Sequence, residues 1–168
     1  MCLARPHFDE VWVMPCYKHM FGKVMSDPFH RLRMCELMVD HLGPWAKASD
    51  FEIKHQLQLP TMGVYELLRD AYPQYQFHLM IGMDNALKIE KWVGYPALLD
   101  VVPFVVFDRA GYTRGNEWWH RPPHKYLAGA NLQVASSDFR RMYEAHDPEA
   151  AKLVLHDTYL YVQANNLY

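Results

Sequence analysis

The sequence predicts an α/β protein in which a parallel sheet is flanked by helices. Three observations carry that expectation. Short apolar runs alternate with longer stretches of helical spacing, the runs are rich in β-branched and aromatic residues, and proline, glycine or aspartate marks many of the junctions. Strands covered on both faces read as continuous apolar runs, and right-handed crossovers through helices supply that cover.

The elements follow in order. Residues 9–15 (DEVWVMP) are a β-branched run ended by proline and read as a short buried strand. A loop covers 16–27. Pro28 then follows Ser26 and Asp27, and Leu32, Cys35, Leu37, Met38, Val39 and Leu42 recur broadly at helical spacing until Gly43 and Pro44. Residues 51–57 read as a second strand, and 61–72 as a helix with Val64, Leu67, Leu68 and Ala71 on one face. Residues 77–82 (FHLMIG) make a third strand, Asp84 opens a helix carrying Leu87, Ile89, Trp92 and Val93, and 103–108 (PFVVFD) make a fourth strand. This βαβαβαβ order puts ligands beyond the carboxyl ends of the strands. Residues 110–129 read as a long polar, aromatic and proline-rich loop, followed by a short strand near 132–134 and two or three closing helices.

The 168 residues fit a single domain, 1–168. A 51% hydrophobic content with 21% charged residues argues against global disorder. A formal net charge of -2 carries no basic excess for a nucleic-acid polymer, while a small phosphate ligand remains compatible. The apolar runs are far shorter than the roughly 20 residues of a membrane helix, so no membrane partner and a cytoplasmic location are expected. Cys2, Cys16 and Cys35 are odd in number and lack CxxC spacing, which suits neither a disulfide framework nor a zinc knuckle. His120 and His124 have helical ligand spacing, but Pro122 and Pro123 forbid the helix, and no metal site is expected. Met34 and Met38 read as core packing.

Several segments in succession resemble the nicotinate or nicotinamide mononucleotide adenylyltransferases of the HxGH-containing nucleotidyltransferase superfamily. They are FDEVWVMP (8–15), FGK (21–23), HRLRMCELMV (30–39), Thr61 before a helix, IGMDN (81–85) with Trp92 after it, VASSDFRR (134–141) and YVQANNLY (161–168). The most specific is VASSDFRR, which is similar to an ISSTxIR signature with Ala135 in place of its first serine. The resemblance implies a Rossmann-like nucleotidyltransferase fold and transfer of AMP from ATP to a pyridine mononucleotide in NAD biosynthesis, with Mg2+ accompanying ATP. The family opens with a strand and a GxFxPxHxxH loop holding its catalytic histidines. This sequence starts near the end of the following helix, so the sheet is expected without its first strand, no catalytic residue is assigned, and this sequence by itself is expected to be inactive or at least about a hundredfold slower than one carrying the histidine loop.

The resemblance implies a phosphate site at Ser136, Ser137 and Arg140, where a helix start favours anions and a guanidinium can bind phosphate bidentately. The rival reading is a plain serine cap with a solvated arginine. Lys23, on the loop after the first strand, is a candidate for the triphosphate. Arg31 either assists there, pairs with Glu36 or faces solvent. Thr61, Asp84 and Trp92 are candidates for the mononucleotide. Asp84 and Thr61 alternatively cap helices, and Trp92 alternatively packs in the core. Trp118, Trp119, His120 and Arg121 form a lid, a disordered excursion or a subunit contact. A homo-oligomer is compatible with all of this. Two other functions stay open: adenylyl transfer to another phosphorylated acceptor such as pantetheine phosphate, and a non-catalytic nucleotide-binding or assembly module.

Overall fold

The apolar run ended by Pro15 does become a strand. In the computed structural model, which describes residues 2–19, 22, 24–112, 118–129 and 135–168, strand β1 (Val11–Val13) pairs in parallel with β2 (Ala46–Ala48), Val11 opposite Ala46 and Val13 opposite Ala48. The crossover between them is helix α1 (Pro28–Asp40). Asp27 starts it by accepting the Phe29 N–H at 2.8 Å, and Pro28 occupies the first position, where no N–H is required.

Residues 51–57 are not a strand. The alternation of Phe51, Ile53 and Leu57 suggests one, but α2 (Phe51–Lys54) is a single helical turn that buries Phe51 and Ile53. The reason lies in β1. Ser49 donates to the Val13 carbonyl at 2.9 Å, and Pro15 follows with no N–H to offer, so the ladder has no partner left beyond Ser49. The backbone satisfies itself instead: Lys54 donates to Asp50 at 2.7 Å and His55 to Phe51 at 3.1 Å.

The chain forms two compact units, Met1–Gln58 with Val134–Tyr168 and Leu59–Gln133. The second contains α3 (Thr61–Ala71), β3 (Leu79–Gly82), α4 (Met83–Ala86), α5 (Ala97–Val101), β4 (Phe104–Phe107) and β5 (Lys125–Leu127). Its sheet is parallel in the order β3-β4-β5, with Gly82 opposite Phe107 and Phe107 opposite Leu127. Central β4 explains its own sequence: Phe104, Val105 and Val106 are fully buried because both faces are covered. The long helix expected after Asp84 is broken into α4, a 3-10 turn at Ile89–Lys91 and α5. Gly94, at φ 91°, and Pro96 interrupt it, since neither conformation nor ring permits a continuous helix.

The segment read as a polar loop is also partly structured. Residues 125–127 join the sheet as β5, a strand too short to leave a periodic signal. The strand expected near 132–134 lies outside the described residues. Trp118 and Trp119 are neither a lid nor a disordered excursion. Trp119 is 1% exposed in the core with Met83, Leu98, Val102 and Phe104, and Trp118 meets Phe104 and His124 edge-on, at 5.4 and 4.7 Å between ring centres.

His124 is the hinge of a pH-dependent contact at the start of β4. Its Nδ1 accepts the Phe104 N–H at 3.2 Å, which a protonated ring cannot do. Burial and neighbouring His78 hold the His124 pKa below the ordinary histidine value, against an opposing pull from Asp100; burial and Lys125 likewise lower His78. As pH falls through about 6.5 the unfolded chain takes up protons before the folded one. Stability is therefore complete above that pH and declines below it, down to the depressed folded values. Urea melts at pH 7.5 and 5.5 are expected to show the loss, and His124→Gln, whose amide oxygen can still accept from Phe104, is expected to reduce it by about half. An unchanged slope in that variant would sink the assignment.

Val134–Tyr168 returns to the first unit as α6 (Ser136–Glu144), a 3-10 turn at Pro148–Leu153 and α7 (His156–Ala164). Phe139, Ala150, Val162 and Leu167 form its core, with Met34 packed against them as expected of a filler. Among the described residues no helix is long and apolar enough to cross a membrane.

Candidate functional site

In unit 2 the carboxyl edge of the sheet gathers polar groups. Gly82 ends β3 and holds the cap position of α4, so Asp84, in the first turn, is not the cap. Instead its Oδ2 accepts from Arg109 Nη1 at 3.0 Å, just beyond β4. The other oxygen, Oδ1, is buried and has no hydrogen-bond partner among the described residues. A buried carboxylate oxygen left open is costly unless a donor reaches it. Gly82 creates its space: a Cβ there would meet Oδ1 at 2.6 Å. At the ends of β4 and β5, Asp108 accepts both the Tyr126 hydroxyl and the Gly129 N–H, the latter at 3.1 Å.

In unit 1 the start of α6 exposes Ser136 and Ser137. Neither is the cap: Ala135 holds that position, and alanine has no side-chain acceptor. Asp138 supplies half of a capping box by accepting the Ala135 N–H at 3.0 Å, and it also faces Arg141 at 4.0 Å. Arg140, half-buried, has no hydrogen bond or ion pair among the described residues; its guanidinium carbon lies 5.7 Å from the Tyr168 ring centre.

Arg31 does not pair with Glu36; Arg33 does, at 2.9 Å. Arg31 donates to three backbone carbonyls, Cys16 at 2.5 Å, Tyr17 at 3.0 Å and Ser26 at 2.9 Å, and so clamps both ends of the loop that follows β1. The Tyr17 N–H in turn donates to Glu52 at 3.2 Å. Burial raises the Glu52 pKa, partly offset by that N–H and by Arg31. Beside the clamp, His30 Nδ1 and the Tyr161 hydroxyl lie 2.8 Å apart, linking α1 to α7.

No protein-family model matches the chain. Individual relatives do. It is 30% identical over 166 residues to a probable nicotinate-nucleotide adenylyltransferase of Bacillus cereus, spanning 96% of this chain and 84% of that one. The chain belongs to the nicotinate-nucleotide adenylyltransferase family. A probable member from Myxococcus xanthus is 31% identical over 113 residues, 67% of this chain and 60% of that relative, so the chain matches less than two thirds of some relatives' length. Among solved structures, Plasmodium falciparum nicotinic acid mononucleotide adenylyltransferase complexed with NaAD superposes with a TM-score of 0.81 at 19% identity, covering 95% of this chain and 82% of that one. The same enzyme complexed with APC gives 0.80 over the same shares, again at 19% identity. The α/β class with parallel strands and flanking helices is thus the fold of this family.

Within that fold the residues expected from the family motifs fall unevenly. Ser136, Ser137 and Arg140 share the start of α6, and Asp84 stands at the edge of the second sheet. Thr61 opens α3, and Pro60, not Thr61, holds the cap position. Trp92 is half-buried and meets Phe104 edge-on at 6.2 Å, so its ring packs against the core. Lys23 lies outside the described residues. Sequence reasoning missed Arg109, Asp108, Tyr126 and Tyr168. The rule that selected Asp84, a polar residue directly after an apolar strand, would also have selected Asp108 and Arg109 after FVVF. Nothing in the sequence flags Tyr168 as a neighbour of Arg140.

Proposed function

We propose that the protein transfers AMP from ATP to nicotinate mononucleotide in NAD biosynthesis. An oxygen of the mononucleotide phosphate attacks the α-phosphorus of ATP in line. One P–O bond forms, the bond to the oxygen bridging the β-phosphate breaks, and pyrophosphate leaves with that electron pair. Such a reaction needs no protein nucleophile, only alignment and donors for the growing phosphate charge.

The observation that carries this reading is Arg140, a guanidinium without an anionic partner among the described residues, beside two exposed serines at a helix start. Helix N–H groups and bidentate arginine donors suit a triphosphate. Lys23 is assigned to the same phosphates as a flexible point charge. Asp84 is assigned to the mononucleotide, its open Oδ1 accepting from a sugar hydroxyl, with Thr61 and Trp92 as further contacts. Mg2+ is assigned to the ATP phosphates, as the MgATP substrate. The relatives' names favour nicotinate over nicotinamide as the acceptor. Residues 1–168 are treated as one nucleotidyltransferase-like domain.

The test is incubation with MgATP and, separately, nicotinate mononucleotide, nicotinamide mononucleotide and pantetheine phosphate, following dinucleotide and pyrophosphate. Product with nicotinate mononucleotide, however slow, is the supporting result. Product with pantetheine phosphate alone would reassign the acceptor, and ATP binding without any turnover would leave a nucleotide-binding module. Gly82→Ala probes the acceptor separately. The φ of -79° at Gly82 suits any residue, so the added methyl should displace the Asp84 carboxylate and not the backbone. Mononucleotide affinity is expected to fall about tenfold, the value of one hydrogen bond to a charged group, with ATP affinity unchanged. Equal mononucleotide affinity in a folded Gly82→Ala protein would remove Asp84 from the site.

A further inference from the structure

We propose that Tyr168 is a positioning residue for Arg140, holding the guanidinium by its face so that its N–H edge stays available to phosphate. The inference rests on the reading of Arg140 as a phosphate ligand and concerns what keeps that side chain in place.

Arg140 and Arg141 are neighbours on α6 with opposite circumstances. Arg141 faces Asp138. Among the described residues Arg140 meets only the Tyr168 ring, with its guanidinium carbon 5.7 Å from the ring centre. A carboxylate partner would occupy the same in-plane donors that a phosphate needs, and would set a negative charge beside it. An aromatic face attracts the cation through its quadrupole and leaves those donors free. An arginine ordered this way loses less side-chain freedom when the anion arrives.

The ring is itself held from three sides. Leu167, buried in the core of unit 1, donates its N–H to the Val162 carbonyl at 3.1 Å and anchors the backbone. The chain turns through Asn166 at φ 47°, and Tyr168 lies at φ 72°, a region disfavoured for a bulky side chain. Phe139, one residue before Arg140, meets the Tyr168 ring edge-on at 6.4 Å between centres. The Tyr168 hydroxyl shares a hydrogen bond with Ser26 Oγ at 3.1 Å. Ser26 is also one of the carbonyls clamped by Arg31, so the ring is tied to the loop before α1 as well as to α6.

The experiment is a double-mutant cycle read as MgATP affinity by calorimetry, with a thermal melt of each protein. Tyr168→Leu keeps an apolar contact for Phe139 but has no π face; Tyr168→Phe keeps the face and loses only the Ser26 bond. Tyr168→Leu is expected to weaken MgATP about three- to tenfold, from the lost cation–π contact and the added ordering cost. Tyr168→Phe is expected to stay within about twofold of the parent. In an Arg140→Ala background, Tyr168→Leu is expected to have no further effect, which a merely structural role would not produce. An equal loss in both backgrounds, or a loss in Tyr168→Phe as large as in Tyr168→Leu, would overturn the proposal. So would unchanged affinity in Tyr168→Leu when Arg140→Ala weakens ATP. Unchanged affinity in Arg140→Ala would instead overturn the phosphate reading, and this inference with it.

Discussion

Replacing Arg140 with alanine is expected to weaken MgATP binding by about ten- to a hundredfold while the protein keeps its fold. The magnitude follows from losing one charge-assisted hydrogen-bonded contact, about 1.5 to 3 kcal/mol. The fold is spared because Arg140 makes no hydrogen bond or ion pair among the described residues, and the apolar cluster of Phe139, Ala150, Val162 and Leu167 does not include it. Calorimetric titration with MgATP beside a thermal melt decides it. Arg141→Ala is the control: that side chain faces Asp138 and is expected to leave affinity within about twofold, the scale of an exposed ion pair. If both variants bind ATP as the parent does, the start of α6 is an ordinary helix end.

The second large effect is on stability. Trp119→Ala is expected to destabilise unit 2 by about 3 to 5 kcal/mol, since it empties the volume of an indole that is 1% exposed among Met83, Leu98, Val102 and Phe104. In a chain of this size that corresponds to a fall in Tm on the order of 10 °C or more. Trp119→Phe is expected to cost far less than Trp119→Ala. It keeps an aromatic ring and removes an indole N–H that is buried without an acceptor among the described residues. Denaturant melts of the two variants measure both values. A Trp119→Ala protein as stable as the parent would return the tryptophan to a surface role.

Trp119 also marks where sequence reading reached its limit. A pair of tryptophans followed by His120, Arg121 and two prolines has the composition of a loop, and composition alone cannot report that Trp119 is buried and Trp118 packs against the same core while His120 stays exposed. The same limit acts on residues 51–57. Their alternation is a fair strand pattern, but a strand exists only where a partner offers hydrogen bonds, and β1 has none left beyond Ser49. That Ser136, Ser137 and Arg140 come together was legible because residues close in sequence lie on one helix turn. The place of Asp84 at a strand end was legible because it directly follows an apolar run. Arg109, which holds Asp84, comes from a different strand and is visible only in three dimensions.

The sequence by itself determined the α/β class, the positions of β1, α1, α3, β3 and β4, and the family, since each rests on local periodicity, punctuation or motif order. Only the tertiary structure decided that β5 completes the second sheet, that Arg31 clamps the loop after β1, and that Tyr168 lies against Arg140. The physical reason is the same in each case. Hydrophobic spacing encodes which face of an element is buried, but hydrogen bonds and cation–π contacts between residues 15 to 28 positions apart depend on where the burial of those faces brings the chain back on itself.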